Sequence, residues 1–555
     1  MNELEPYFRL DWLSGSVAAF VAGYTVLTLV YSMGYMQGRH AQGRYYGYIL
    51  LTCILSIAAA FADNLVLFVT CWGLLGLLLY LLTNLGESPG AAKTAKKTFI
   101  IIGGTDSLMI LGLALAWSLG GRPSLFHLRM TALDIPIVSP AAVMAYLCLL
   151  SGALAKAGAM PFHTWVPDTA QDAPLPVAAF LPASLDKLLG IYLLVRLNVD
   201  IFVLTKGLYT FLMLLGSFTI VAAVMMALVQ HDMRRLLGYH AVSQVGYMIL
   251  GIGTGTPLGI AGGLFHMFNN TLYKSCLFFS GGAVTREART DDLDELGGYA
   301  HAMPITYTTF LIAALAISGI PPLNGFVSKW MIYQSLAAIG RDGGWLWMLC
   351  LASALFGSVL TLASFMKLIH AIFLARPARK IEGNKETSLL LLAPHVILAG
   401  LCVLFGVFAF QIPLGGFIGP AVGMPIDYPG DWHTLAGALL LLAGFGAGAV
   451  LYVFGTALRT RTVEPFVGGE VLEKQPAMRM SGVEFYKTVE EAPLLHRTYR
   501  AASQKLFDLY ELGSRATFGI SRLFSEIHNG ELPYYLAWCI LGMVVLFFVL
   551  LGGSL

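Results

Sequence analysis

Four lysines lie within or beside runs of sequence that are otherwise apolar: Lys156, Lys187, Lys274 and Lys329. A charged side chain inside a membrane helix is expensive and marks a functional site by default. Taking a lysine out of water disfavours its ammonium form, and a neighbouring charge shifts the balance. Such a lysine can hold or release a proton, so a chain of them makes a proton relay. The competing reading for each is a stem that lies along the helix and delivers its ammonium to the interface. That reading weighs most on Lys187.

The segment GGLFHMFNNTLYKSCLFF spaces His266, Asn270 and Lys274 four residues apart, on one helix face. The stripe joins an imidazole, a group suited to proton exchange, to a buried lysine. A histidine kept only for structural hydrogen bonding is the alternative. His240 and Gln244, also four apart in HDMRRLLGYHAVSQVGYM, face the same pathway or pack beside it. Asp232, Arg234 and Arg235 ahead of them read as loop charges. Acidic residues in the apolar runs are few. Asp106 falls early in IIIGGTDSLMIL, and Asp186 adjoins Lys187, so those two point to different helix faces. Asp63, between two apolar runs, is expected near the surface. Lys367 and His370, three apart, form either a cytoplasmic exit or an interfacial pair.

No cofactor chemistry is legible. The seven cysteines show neither CxxC nor metal spacing and read as small core hydrophobes. Haem-spaced histidines, Fe–S cysteines, a P-loop and a Rossmann fingerprint are all missing from the sequence. The expectation is a chain with no cofactor, no metal and no catalytic centre of its own.

The elements that must hold these groups are membrane helices. The 555 residues are 57% hydrophobic and 12% charged, against about 45–50% and about 25% in soluble chains. Mean hydropathy is +0.72. The net charge of +2 gives no reason to expect nucleic acid. Glu3, Glu5 and the long first apolar run argue against a cleavable signal peptide. At roughly 20 residues per crossing, about fourteen spans are predicted: 13–34, 46–62, 64–84, 98–118, 139–159, 176–197, 208–229, 236–253, 257–283, 304–337 (broken), 345–374, 388–411, 433–456 and 533–552. The fold class is therefore an all-α polytopic membrane protein.

Two of these spans are interrupted. In AKAGAMPFHTWVPDTAQDAPLP, Gly158 and Pro161 end one helix. A short amphipathic piece with His163, Trp165 and Asp168 follows, and Pro174 and Pro176 restart the chain. SGIPPLNGFVSKW breaks the tenth span in the same manner, with Lys329 just after it. Broken backbone at membrane depth survives only inside protein or beside a hydrated cavity. Breaks at matching places in 46–197 and 208–374 predict two inverted five-helix repeats with the ion site between them. Lys and Arg favour the cytoplasmic side. Arg39, Arg44, Lys93, Lys96, Lys97, Arg234, Arg235, Arg286, Arg289, Arg376, Arg379, Lys380, Lys385, Arg459 and Arg461 follow odd-numbered spans. Both termini are thus expected outside. Residues 457–532 leave the membrane pattern, and helical spacing from Leu494 to His528 predicts one long amphipathic helix before a last anchor, 533–555. The division expected is a membrane domain over 1–456, the 457–532 segment, and the anchor.

AKAGAMPFHTWVPDTAQDAPLPVAA, ALVQHDMRRLLGYHAVSQVGYM, FHMFNNTLYKSCLFFSGG and ISGIPPLNGFVSKW, in that order, resemble the antiporter-like subunits of respiratory complex I, the Mrp sodium/proton antiporters and the energy-converting hydrogenases. The late amphipathic segment and anchor resemble the lateral helix of the largest complex I subunit of this type. The resemblance implies translocation of protons, or of sodium, by a subunit of a multisubunit, redox-driven oxidoreductase complex. The setting would be a prokaryotic cytoplasmic (inner) membrane, with other membrane and cytoplasmic subunits as partners. It carries the pathway onto Lys156, His266, Lys274 and Lys329. Three features depart from the family pattern. The acidic residue after the tryptophan of W-E-x-x-x-x-x-x-Y is Gly73 here, and Asp106 is a candidate substitute. A histidine after the first break is Pro182, with Lys187 as its replacement. The chain also starts at what resembles the family's third helix. Two other readings stay open: the proton-conducting partner of a two-component inorganic-carbon uptake system, and a scaffold that no longer conducts.

Overall fold

The computed structural model describes residues 7–39, 41–124, 128–340, 344–375, 386–429, 434–454, 486–528 and 530–552. The expected loop charges Arg376, Arg379, Lys380, Lys385, Arg459 and Arg461, and most of the linker after 456, fall outside them. The chain divides into two compact units, Met1–Ala492 and Pro493–Leu555.

The first unit is built of helices in chain order. They are α1 Trp12–Tyr35, α2 Gln42–Phe61, α3 Leu65–Thr83, α4 Ala91–Leu119, α5 Pro140–Ala157, α6 Trp165–Asp172, α7 Leu175–Phe180, α8 Asp186–Arg196, α9 Lys206–Leu228, α10 Met233–Gly253 and α11 Pro257–Ala288. After these come α12 Tyr299–Ala302, α13 Pro304–Ser318, α14 Asn324–Ile339, α15 Leu346–Ile369, α16 Leu389–Val407, α17 Gly419–Val422, α18 Thr434–Phe454 and α19 Lys487–Glu491. Local chemistry sets their starts. Asp11 and Ser14 form a reciprocal capping box on α1, Asn64 caps α3, Ser139 with Pro140 opens α5, and Asp232 caps α10. Among the described residues, ten helices are long and apolar enough to cross a membrane. The protein is a multi-pass membrane protein.

Glycine and proline shape the interruptions. Gly158 (φ +78°) ends α5, and Gly319 (φ +83°) ends α13. Each is in the left-handed region that glycine adopts freely. A Cβ on Gly158 would lie 2.5 Å from Val166 Cγ2, and one on Gly319 would lie 3.1 Å from Lys329 Cδ. Both breaks contain a cis proline bond, Met160–Pro161 and Pro321–Pro322. Between α7 and α8 the helix widens into a π-helical turn, Leu181–Leu185. Pro182 has no N–H to complete a regular turn there.

α11 lies in the middle of the unit. Every residue from Leu258 to Thr285 is buried, and the helix packs on α10, α13, α14 and α16. α8 is buried along its whole length and packs on α5. A two-residue parallel ladder pairs Ile135 with Phe202 and Pro136 with Val203, tying the approach to α5 to the end of the α8 segment. Asp63, expected near the surface, is instead buried in the turn before α3. Arg129 Nε bonds its carboxylate at 2.6 Å, and Thr131 adds a second donor.

In the second unit the expected single amphipathic helix is two: α20 Pro493–Ser503 and α21 Leu509–Ile527, followed by α22 Leu532–Gly552. Lys505 adopts φ +58° between them, and Asp508 restarts the helix by accepting from the Tyr510 N–H.

An ion cluster joins the start of α1 to the end of α8. Asp11 accepts from Arg9 at 2.6 Å and from Arg196 at 2.8 Å, and Asp200 accepts from Arg196 at 2.8 Å. Burial raises the Asp11 carboxyl, but Arg196 and the Ser14 bonds outweigh it, leaving it below its ordinary value of 3.8. A carboxylate depressed in the fold stabilises above the ordinary range and loses that contribution as pH falls through its folded value. Asp11→Ala is expected to cost about 0.5–2 kcal/mol. The difference from the unmodified protein, followed by thermal unfolding in detergent, should shrink below about pH 4.

Candidate functional site

The site begins where α3, α4, α5 and α8 meet. Lys156, on the last turn of α5, has no exposed surface. Its Nζ lies 3.9 Å from Asp186 Oδ1, 3.4 Å from the Trp72 carbonyl and 5.0 Å from the Trp72 ring centroid. The Trp72 indole N–H donates to Asp106 Oδ1 at 3.0 Å, so Asp106 joins the cluster from α4. Gly73 lies on the exposed side of α3, where an added Cβ would meet nothing within 4 Å. The acidic groups near Lys156 therefore come from α4 and α8. Lys187, next to Asp186, turns the other way and donates to the Pro182 carbonyl inside the π-helical turn. α8 approaches α5 this closely because residue 190 is glycine. A Cβ there would lie 2.5 Å from the Ala157 nitrogen and 2.7 Å from the Ala153 oxygen.

The π-helical turn also touches the central helix. Ser184 and Ser275 hydroxyls are 2.7 Å apart, and Asn270 donates to the Ala183 carbonyl at 2.9 Å. Beside Ser275, Lys274 donates to the Leu237 carbonyl at 2.8 Å and lies 5.8 Å from the Phe365 ring centroid. The same ring packs 4.7 Å from His240, whose Nε2 is 2.7 Å from Ser364 Oγ. One turn along α10, Gln244 reaches His266 Nε2 at 3.0 Å. His266 Nδ1 lies 2.9 Å from Ser328 Oγ. The next residue, Lys329, donates to the Ile317 carbonyl at 2.9 Å and to Ser358 at 3.1 Å, with the Tyr247 ring centroid 4.6 Å away.

The seven residues singled out from sequence thus fall into two neighbouring groups. Asp106, Lys156 and Lys187 belong to the group with Trp72 and Asp186, whereas His266 and Lys274 lie on α11 and His240 and Lys329 come from the neighbouring α10 and α14. The Ser184–Ser275 contact joins the two. His266, a candidate for a merely structural histidine, does make a full set of hydrogen bonds, but all of them run to polar groups along this row. Lys367, near the end of α15, is buried and donates to the carbonyls of Leu228 and Gln230, each at 2.8 Å. It lies one turn after Ser364, the hydroxyl partner of His240, on the same helix. Sequence reasoning passed over Asp186 as the ion-pair partner of Lys156, and over Ser184, Ser275, Ser328, Ser358 and Ser364 as linking hydroxyls. Isolated serines in apolar helices give no signal until their partners are known. Several buried polar atoms in the row, Asp186 Oδ2, His240 Nδ1, Gln244 Nε2 and Asn270 Oδ1, have no hydrogen-bond partner among the described residues.

Apolar helices wrapped around buried ionisable side chains define a multi-pass membrane protein with a titratable core. The chain belongs to the NADH:quinone oxidoreductase/Mrp antiporter membrane family, whose profile matches residues 62–361. That range includes the whole row from Asp106 to Lys329. The chain is 31% identical over 419 residues to the Na(+)/H(+) antiporter subunit A1 of Staphylococcus haemolyticus, a match covering 72% of this chain and 52% of that protein. It is 30% identical over 427 residues to F(420)H(2) dehydrogenase subunit L of Methanosarcina mazei, covering 72% and 63%. It therefore spans between half and two-thirds of the curated relatives it matches. Its fold is similar to a chain of the membrane-bound sulfane sulfur reductase, an archaeal respiratory membrane complex (TM-score 0.79, 23% identity, 98% of this chain and 89% of that chain). It is also similar to a chain of the Mrp complex from Dietzia sp. DQ12-45-1b (TM-score 0.68, 22% identity, 75% and 84%).

Asp186→Ala should leave Lys156 buried without its ion partner, a change that costs about 3–5 kcal/mol in comparable pairs. Gly73→Ala, into open space on an exposed helix face, should stay within about 0.5 kcal/mol of the unmodified protein. Thermal unfolding of the purified protein in one detergent compares the two.

Proposed function

We propose that this chain is a proton-translocating membrane subunit, or a sodium-translocating one, of a complex I-like multisubunit assembly. The charge would pass along Lys156, Lys187, Lys274, His240, His266 and Lys329, with Asp106 and Asp186 beside its first members. One observation carries the reading: four lysines and two histidines, each at most 2% exposed, sit along a row linked by hydroxyl, amide and ring contacts. Burying that many ionisable groups without use would be costly. The polar atoms left over along the row are sites that bound water could complete. The names of the relatives support the same reading, since they describe an antiporter subunit and a dehydrogenase subunit. The partners implied are further membrane and cytoplasmic subunits together with the lipid bilayer. The matched left-handed glycines and proline turns of the two breaks support inverted repeats over 46–197 and 208–374. We also propose a membrane domain over 1–456, with 457–532 and the 533–555 anchor after it.

The membrane we infer is a prokaryotic cytoplasmic membrane. Several of the basic loop residues are held by local acceptors: Arg39 pairs with Glu87, Arg286 donates to the Gly34 carbonyl, and Lys97 and Arg235 share Asp168. This fits a cytoplasmic face with both termini outside. A reporter fused after Leu555 is expected to be active only when folded outside the cytoplasm; cytoplasmic activity would reverse the orientation. Lys274→Ala is expected to abolish ion translocation by the assembled complex in vesicles while the complex remains intact. Unchanged translocation would remove the pathway reading.

A further inference from the structure

His266 is held differently from the lysines of the row. Lys274, Lys329 and Lys367 each donate to main-chain carbonyls, which only accept. The three polar partners of the His266 ring can all both donate and accept. Ser328 Oγ lies 2.9 Å from Nδ1, while the Gln244 amide at 3.0 Å and the Tyr273 hydroxyl at 3.2 Å lie at Nε2. With Gln244 Oε1 turned toward the ring, the neutral imidazole carries its hydrogen on Nε2, and the Nδ1 lone pair faces Ser328. Gln244 Nε2 then has no partner among the described residues. Turning the carboxamide over reverses the pattern. The amide N–H donates to Nε2, the ring hydrogen sits on Nδ1, and Ser328 accepts it while its own hydroxyl donates to the Gly325 carbonyl 3.2 Å away. Both arrangements bond both ring nitrogens, so this is a two-state element at constant packing.

We propose that Gln244 is a positioning residue that selects the side from which His266 takes a proton. This rests on the reading of His266 as part of the ion pathway. With Oε1 inward, a proton arriving from the Ser328–Lys329 side adds to the Nδ1 lone pair. The imidazolium then gives its Nε2 proton to the Tyr273 hydroxyl as that hydroxyl passes its own hydrogen to a water molecule on its far side. The ring is left neutral with its hydrogen on Nδ1, and Oε1 now faces a lone pair. The carboxamide turns over to relieve that mismatch, and no second proton can be taken from the Ser328 side in this setting. One charge passes per setting, and the ring must be returned before the next. The ring is enclosed by Tyr247 (centroids 5.5 Å) and Tyr273 (6.1 Å), and Lys329 is the nearby cation from α14. Free spinning of the ring would break its bonds at both nitrogens.

The test uses the intact complex in vesicles with two substitutions of similar length. Gln244→Met removes the amide, and Gln244→Glu supplies an acceptor that holds the hydrogen on Nε2. Both are expected to slow proton translocation on the order of 10²-fold, within the range of a lost positioned proton donor or acceptor. Infrared spectra with ring-labelled histidine, taken as differences against matching His266→Ala samples, should show both His266 tautomers in the unmodified protein. Gln244→Glu should show only the Nε2–H form. Translocation at the unmodified rate in Gln244→Met, or both tautomers in Gln244→Glu, would overturn the proposal. If Lys274→Ala also leaves translocation unchanged, the pathway reading itself fails. If Lys274→Ala abolishes it and the Gln244 variants do not slow it, only the role of Gln244 fails.

Discussion

A buried ammonium needs an acceptor, and five lysines of this interior find one in main-chain carbonyls. Lys156 meets Trp72, Lys187 meets Pro182, Lys274 meets Leu237, Lys329 meets Ile317, and Lys367 meets Leu228 and Gln230. Several of these carbonyls are available because a helix ends or widens there. Ile317 lies two residues before the Gly319 break, Leu228 closes α9, and Pro182 sits in the π-helical turn. Helix ends leave carbonyls without intrahelical partners, and membrane interiors do not tolerate that. The irregular backbone and the charged side chains thus satisfy each other.

Carboxylates and ring faces supply the rest of the compensation. Asp186 takes Lys156 from α8, and Asp106 is steadied by the Trp72 indole whose ring faces the same ammonium. Farther along, Phe365 and Tyr247 offer their faces to Lys274 and Lys329. Aromatic faces attract cations most where water is excluded. The row therefore sets dipoles and ring quadrupoles beside its full charges.

Much of this could be read from the chain itself. The prolines and glycines around 158–176 and 319–325 mark the breaks, and the four-residue spacing of His266, Asn270 and Lys274 marks the polar stripe. The departures are equally physical. Gly73 stands where the family pattern has an acid, yet its Cα faces outward, and acidity reaches Lys156 through Asp186, which sequence adjacency tied to Lys187. The amphipathic segment after Leu494 keeps its periodicity through Lys505 and Asp508, so periodicity alone could not reveal that the helix stops and restarts there. The serines that link the row are contributed by α11, α14, α15 and the π-helical turn. Tertiary packing, which no local pattern encodes, brings them together.

The sheathing of α11 has a consequence for what keeps it in the membrane. A helix carrying His266, Asn269, Asn270 and Lys274 gains little from meeting acyl chains by itself, since one lysine at mid-bilayer opposes insertion by about 2.5–3.5 kcal/mol. It packs instead against α10, α13, α14 and α16, three of which come later in the chain. α11 is therefore held at membrane depth by its enclosure in the bundle, not by its own affinity for acyl chains.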